Sequence, residues 1–325
     1  MTWVWKQIHW PQPFDHAEAL GFVQRLAADE DRGPAVFEAR AEAGIIRHLI
    51  GSEQTDLSAV RSTLRRLIPE ATVTKPEEDR VLVERAGRVR IRQRNLGLSL
   101  DTDGTALRAL YAALSQATGA DDVLVMQVIL GASVPPQVVP TKPQDPNLSL
   151  FDLALSGSHP ASSEMRRGMV DKLGQYRFRA TVRLGVSAAS PVRRRLLVFS
   201  ILAALRQLQT GSTRIDLQSE RPDLVDQATI PARKPLRLTA DEALCVLGWP
   251  TGKRQLPGNA AAASQAPRPA PRVQGGEGGT SVRRHKRRRS LSAGRDHHRG
   301  CPAPHAHPRP HRGREEHGAP QPNRG

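Results

Sequence analysis

Trp3 to His9 (WVWKQIH) alternates large apolar and polar residues, and this period of two predicts a strand. Asp15 caps a helix from His16 to about Ala28, with Ala19, Phe22, Val23 and Leu26 on one face. Gly33-Pro34 breaks it. Ala35 to Ala41 and Gly44 to Ile50 read as two strands around a Glu42-Ala43-Gly44 turn. Asp56 or Ser58 opens a second helix carrying Val60, Leu64 and Leu67 at helical spacing, and Ala71 to Thr74 is a short closing strand. The order is β-α-β-β-α-β.

The second half repeats that order. Arg88 to Leu100 alternates through Val89, Ile91, Leu96, Leu98 and Leu100 and reads as a strand. Thr105 to Thr118 is a helix ended by Gly119. Asp122 to Leu130 (DVLVMQVIL) is apolar on both faces, which predicts a central strand. Gln175 to Ser187 alternates again, and Ser190-Pro191 starts a long helix to about Gln209, with proline at its first position. Thr213 to Leu217 closes the unit. The expected class is therefore α+β, with two tandem ferredoxin-like units over residues 1–76 and 80–250. Between Ala132 and Gly174 runs a polar, Pro-rich excursion too long for an ordinary loop. It reads as a mobile insertion, with a partner surface as the alternative.

Composition changes abruptly after Gly258. Apolar side chains nearly vanish and Pro, Gly, Arg and His dominate, so residues 259–325 are expected to form a disordered basic tail. This placement reinterprets the net charge of +16. From Thr251 onward stand 16 Lys and Arg against 4 Asp and Glu, a net of +12, which leaves +4 on the rest. The foldable part is only mildly basic. No apolar run approaches the roughly 18 residues of a membrane span. MTWVWKQIHW lacks the pattern of a signal peptide, and the cysteines Cys245 and Cys301 make no disulfide framework. A cytoplasmic protein is expected.

Candidate chemistry is sparse. The run Arg283, Arg284, Lys286, Arg287, Arg288, Arg289 can contact nucleic-acid phosphates, or be a solvated charge run. Arg88, Arg90, Arg92 and Arg94 alternate along one strand face, which is either a phosphate-contacting or a plain solvated face. His285, His297, His298, His305, His307, His311 and His317 crowd the tail with Cys301, without the spacing of a tetrahedral zinc site. Glu42, Glu84 and Asp101 show no acid–base spacing, and His9, His16 and His48 stand apart. GxSxG, HExxH, GxGxxG and CxxC are all missing, and Gly252-Lys253 is not a phosphate loop. No catalytic, cofactor-binding or metal site is expected.

Five stretches carry a resemblance. They are Trp10-Pro11-x-Pro13-Phe14; Val36 to Arg40 with His48 to Gly51; Gln127 to Gly131; Val182 to Gly185; and Leu247 to Pro250 with Leu256 to Gly258. Over residues 1–258 the chain resembles the N-terminal half of actinobacterial conjugative-transfer ATPases related to type IV secretion coupling proteins. The resemblance implies protein partners in a transfer or secretion complex, and membrane association through them. It also implies a HerA–FtsK-type P-loop motor, with ATP and Mg²⁺, after the WP…LPG segment. A stand-alone basic nucleic-acid-binding protein using the Arg-rich tail and the Arg88–Arg94 face is the alternative.

The tail itself supplies a test. Reading its codons one base forward, residues 307–323 permit ILGPTGAGKST-A-LLNLI: a strand, a Walker A loop and an apolar helix in order. The chain is thus expected to leave the family's reading frame near Gly258. A P-loop needs backbone amides around phosphate, a lysine on the outer phosphates and a Ser/Thr on Mg²⁺. The translated tail has none of these, so no ATP binding is expected.

Overall fold

Asp15 opens the first helix, its carboxylate accepting the Ala17 N–H at 2.7 Å. The helix, α1 (His16–Ala27), turns Ala19, Phe22, Val23 and Leu26 inward. In this computed structural model, which describes residues 2–92, 96–139 and 160–258, it is preceded by β1 (Val4–His9). Then follow β2 (Ala35–Glu42), β3 (Ile45–Ser52), α2 (Gln54–Leu67) and β4 (Thr72–Thr74). The second half has β5 (Arg85–Ile91), α3 (Thr105–Leu114), β6 (Val123–Val134), α4 (Ser163–Leu173), β7 (Arg177–Ser187), α5 (Pro191–Arg206) and β8 (Ile215–Glu220). The short α6 (Asp223–Asp226), β9 (Leu236–Thr239) and α7 (Ala240–Leu247) finish the described chain.

Among the described residues nine strands join one antiparallel sheet in the order β4-β1-β3-β2-β6-β7-β5-β8, with β9 alongside β7. Each half contributes its fourth, first, third and second strand, counted from the outside inward. The halves meet where β2 and β6 pair, from Ala35↔Leu130 to Glu42↔Val123. Because strand side chains alternate, this register puts Phe37, Ala39 and Ala41 beside Val128, Met126 and Leu124 on one face. That face joins the buried residues of α1, α2, α3, α5 and α7 in a single apolar cluster. Burial of each such side chain contributes about 1.5–3 kcal/mol before chain entropy is subtracted.

The opposite face carries charge and still is covered. Glu38, fully buried, accepts from Arg80 Nε at 3.0 Å and from Gln127 Nε2 at 2.8 Å. Arg80 lies 3.8 Å over the Trp5 ring and also donates to the Asp226 carbonyl at 2.8 Å. Arg183 donates to Glu220 at 2.7 Å. Burial of unpaired charge is costly, so these partners are what lets the segments around Arg80 and α6 close over the sheet.

Four expectations change. The strand expected over Arg88 to Leu100 runs from Arg85 to Ile91; Leu96 and Leu98 are buried outside any strand. The helix expected over Thr105 to Thr118 stops at Leu114. The excursion expected from Ala132 to Gly174 is ordered at both flanks: β6 continues to Val134 with an irregularity before Ser133, and α4 is capped by Ser162 Oγ accepting from Met165 N at 3.2 Å. Its central residues 140–159 lie outside the described residues, as does the tail 259–325. Finally α6, β9 and α7 extend the fold beyond the expected closing strand.

Candidate functional site: an aromatic junction at the chain exit

Three of the stretches that carry the resemblance, those of Trp10 to Phe14, Phe37 and Trp249, come together beside α1. Trp10 stacks on Phe14 with ring centroids 4.9 Å apart, and Trp249 lies 4.6 Å from Trp10. Phe22 from α1 and Phe37 from β2 close the cluster at 5.8 and 5.2 Å from Trp249. The turn that brings Trp249 in belongs to Gly248, which ends α7 in the left-handed conformation at φ 64°. A Cβ on Gly248 would lie 2.7 Å from Met126 Cε and 3.1 Å from Leu110 Cδ2. Gly248→Ala should therefore cost about 1–3 kcal/mol through backbone strain and overpacking. A urea denaturation midpoint unchanged from the parent protein would refute that assignment.

Below the rings is a polar relay. The Tyr111 hydroxyl donates to the Gly248 carbonyl at 3.1 Å, leaving its oxygen to accept the Nε2–H of His48 at 2.8 Å. His48 thus holds its proton on Nε2 and is neutral. Burial pulls its pKa down to about 3 and pushes that of the Tyr111 phenol well up.

From Trp249 the chain is fastened across the first half. Gly252 and Phe14 exchange both backbone hydrogen bonds, at 3.3 and 2.6 Å. Leu256 is buried, and the Gly258 carbonyl accepts from Ile46 N at 2.7 Å beside the β2–β3 turn. At the same turn Gly44 N donates to the Ala117 carbonyl at 2.6 Å, which ties this exit to the second half.

A cleft of ≈ 540 Å³ opens between this exit segment and the start of α3, lined in part by His16, Asp101, Asp103, Cys245, Lys253 and Arg254. Its carboxylates are already engaged. Asp101 accepts from Ala106 N and Leu107 N at 2.9 and 2.8 Å, and Asp103 accepts from the Thr105 hydroxyl at 2.6 Å, which holds its carboxyl below the usual range. Burial pushes the Cys245 thiol up to about 11, so it is not a thiolate at neutral pH. The arrangement fixes chain segments; it presents no nucleophile–base pair.

The other candidate residues scatter. Arg88 faces Glu220 at 3.3 Å, Arg90 donates to Gln218 at 2.6 Å, and Arg92 donates to Asp216 at 3.0 Å. Arg94 and the run Arg283, Arg284, Lys286, Arg287, Arg288, Arg289 lie outside the described residues, as do the tail histidines and Cys301. Glu42 pairs with Arg40 at 3.2 Å, Glu84 pairs with Arg194, and His9 bonds the Thr74 hydroxyl at 3.0 Å. Among the described residues no group of three His, Cys, Asp or Glu could hold a metal ion, and no helix is long and apolar enough to cross a membrane.

Sequence reasoning passed over Glu242. Its Oε1 accepts from Lys172 Nζ at 2.9 Å and Leu98 N at 2.8 Å, and its Oε2 accepts from Thr239 N at 3.0 Å. One buried carboxylate thus ties α4, the Leu96–Leu98 segment and α7 together. The Thr239-x-x-Glu242 spacing of a capping box was its legible signal. No protein-family model matches this chain, and no curated protein matches it.

Proposed function

We propose that residues 1–258 are the accessory N-terminal portion of a conjugative DNA-transfer ATPase of the type IV secretion coupling kind. In this reading they form two tandem ferredoxin-like units, act in the cytoplasm, and dock onto protein partners of a transfer complex. Support for the tandem units is the strand order, which repeats fourth-first-third-second in each half. The observation that carries the reading is the junction. Trp10-Pro11 and Gly248-Trp249-Pro250, distant in sequence, pack ring on ring, and the segment they anchor is bonded to the body as far as Gly258. A domain that follows such a segment would be mechanically coupled to this one rather than tethered by a loose linker.

The chain as translated lacks the Walker A groups, so in this reading it does not hydrolyse ATP by itself. The motor belongs to the intact family protein. Nucleotide sequencing of the coding DNA from the Pro257 codon onward tests the proposal. The expected result is that a one-base forward shift spells the P-loop run over the codons of residues 307–323. A protein expressed in the restored frame should hydrolyse ATP, whereas the 325-residue chain should show no micromolar ATP affinity by calorimetry. Shifted codons that spell no P-loop would sink the reading.

A further inference from the structure

The two ends of the sheet are finished differently. β4, at one end, is three residues long and lies between Pro69 and Pro76, which blunts it as an edge. β8, at the other, pairs with β5 in an unbroken register from Ala86↔Glu220 to Ile91↔Ile215 and contains no proline. Arg92 N donates to the Arg214 carbonyl at 3.0 Å, so Arg214 and, by alternation, Asp216, Gln218 and Glu220 turn their backbone groups toward β5. Ile215, Leu217 and Ser219 turn theirs outward. At Ile215 the outward groups are filled: its N–H donates to Gln209 Oε1 at 2.7 Å, and its carbonyl accepts from Arg206 Nε at 3.3 Å. Among the described residues nothing fills those of Leu217 and Ser219.

A helix face overlooks the same edge. Arg206, which reaches Ile215, shares one side of α5 with exposed Val192, Phe199 and Ala203 at helical spacing. Arg195 lies on that side too, 5.4 Å over the Phe199 ring. α5 contains no carboxylate. Arg193 and Arg194 pair with Asp122 and Glu84, whereas Arg195 and Arg206 meet no carboxylate among the described residues. β7 and β8 both run antiparallel to β5, so α5, which joins them, runs back along the sheet and carries Arg195 toward the Glu220 end. From Arg206 to Arg195 the helix rises about 16 Å, the length of about five strand residues. Leu217 sits opposite Val89, so its side chain points to the helix side as well.

We infer that an extended peptide segment of a partner protein adds to β8 as a further strand, presenting two apolar residues flanked by acidic ones to α5. Unfilled backbone groups at every second residue select an extended chain, because a docked helix would leave them unpaired. A residue set opposite Leu217 or Ser219 exchanges hydrogen bonds with it and turns its side chain to the helix side. There Phe199 and Leu217 call for apolar side chains in the middle, and Arg206 and Arg195 call for carboxylates at the two ends. The intervening residues face the other way, beside exposed Gln218, and are polar. A second copy of this chain fits less well: antiparallel pairing of Leu217 with Ser219 of that copy sets Asp216 opposite its Glu220, like charge against like. The docking rests on the sheet edge and α5 alone, so it stands or falls apart from the reading-frame proposal.

The probe is a fluorescein-labelled peptide, Glu-Thr-Val-Thr-Val-Thr-Glu, titrated by anisotropy into the full-length chain in about 0.3 M salt, which screens attraction to the basic residues after Gly258. Two N-methylated isomers of equal charge supply the decisive comparison. Methyl groups on the two Val amides remove the N–H groups that face β8 and should weaken binding about tenfold or more, while methyl groups on two Thr amides should change it less than about threefold. Ser219→Pro sets a ring on the open edge without touching the β5 ladder and should also cost about tenfold or more. Phe199→Ala and Arg195→Glu should each weaken binding about threefold or more through the helix wall. The N-methyl pair needs no variant, so it gives a result even if Ser219→Pro misfolds. Hydrogen exchange should slow on peptide binding in the segment 215–220, at the Leu217 and Ser219 amides. Equal weakening by both methyl patterns, no binding up to about 1 mM, full affinity in folded Ser219→Pro, or exchange protection elsewhere only would overturn the inference. So would sedimentation showing the chain alone to be a dimer that Ser219→Pro dissociates, which would assign the edge to a second copy.

Discussion

Trp249→Ala should lower the unfolding free energy by about 3–5 kcal/mol, the usual cost of emptying a large aromatic site. Trp249 is 2% exposed and touches rings from three other segments: Trp10 after β1, Phe22 on α1 and Phe37 on β2. Those rings belong to different elements, so the cavity cannot close by one small movement, which places the cost high in the range. Against a total stability of about 5–15 kcal/mol, the loss would be a large fraction. Trp249→Phe should cost about half as much, since it keeps one ring in the stack. Phe199→Ala, at a half-exposed position on α5, should cost under about 1 kcal/mol and serves as the comparison. Urea denaturation gives the ordering. Limited proteolysis adds a local readout: cleavage between Thr251 and Gly258 should accelerate in Trp249→Ala well before the sheet unfolds. A loss below about 1 kcal/mol, with no new cleavage there, would mean that the exit segment is not held by this ring.

The parts of this fold that announced themselves are those in which one local signal suffices. For α1 the signals are a cap at Asp15 and apolar residues at helical spacing, and the helix lies where they put it. DVLVMQVIL is apolar on both faces, and β6 is central, flanked by β2 and β7. Failures came where a distant group replaced the local rule. Leu96 and Leu98 alternate like strand residues, yet the Leu98 N–H donates to the Glu242 carboxylate, a side chain far along the sequence standing in for a ladder partner. α4 has almost no apolar face; of its side chains Met169 and Lys172 are buried, and the lysine is admitted because Glu242 meets it. Burial draws the Lys172 pKa down while Glu242 opposes the shift. The junction was legible as its separate motifs, but nothing local says that Trp10 and Trp249 touch. A groove beside β5 was half legible, as the alternating Arg90 and Arg92; Lys234, which lines it with them, reaches it only through the strand order.

Acidification from pH 7 to pH 5 should cost about 2 kcal/mol of stability through His48 alone. His48 is enclosed by Trp10 and Tyr111, 5% exposed, and its pKa sits near 3, against about 6.5 for the unfolded chain. Above pH 6.5 neither state carries the proton, and the stability is at its full value. As pH falls through 6.5 the unfolded chain takes up a proton that the folded chain refuses, so stability declines by about 1.4 kcal/mol per pH unit. The decline levels off only near pH 3, for a ceiling of about 5 kcal/mol, by which point protonating carboxylates add their own losses. The window from 7 to 5 therefore isolates histidine. His48→Gln keeps a side-chain N–H able to reach the Tyr111 oxygen while removing the titration. Comparing the pH dependence of the urea midpoint in parent and variant cancels the contribution of every other histidine. The parent should lose about 2 kcal/mol more than the variant over those two pH units. Parallel pH profiles would mean that water reaches the ring, and with it the relay that joins β3, α3 and the Gly248 turn.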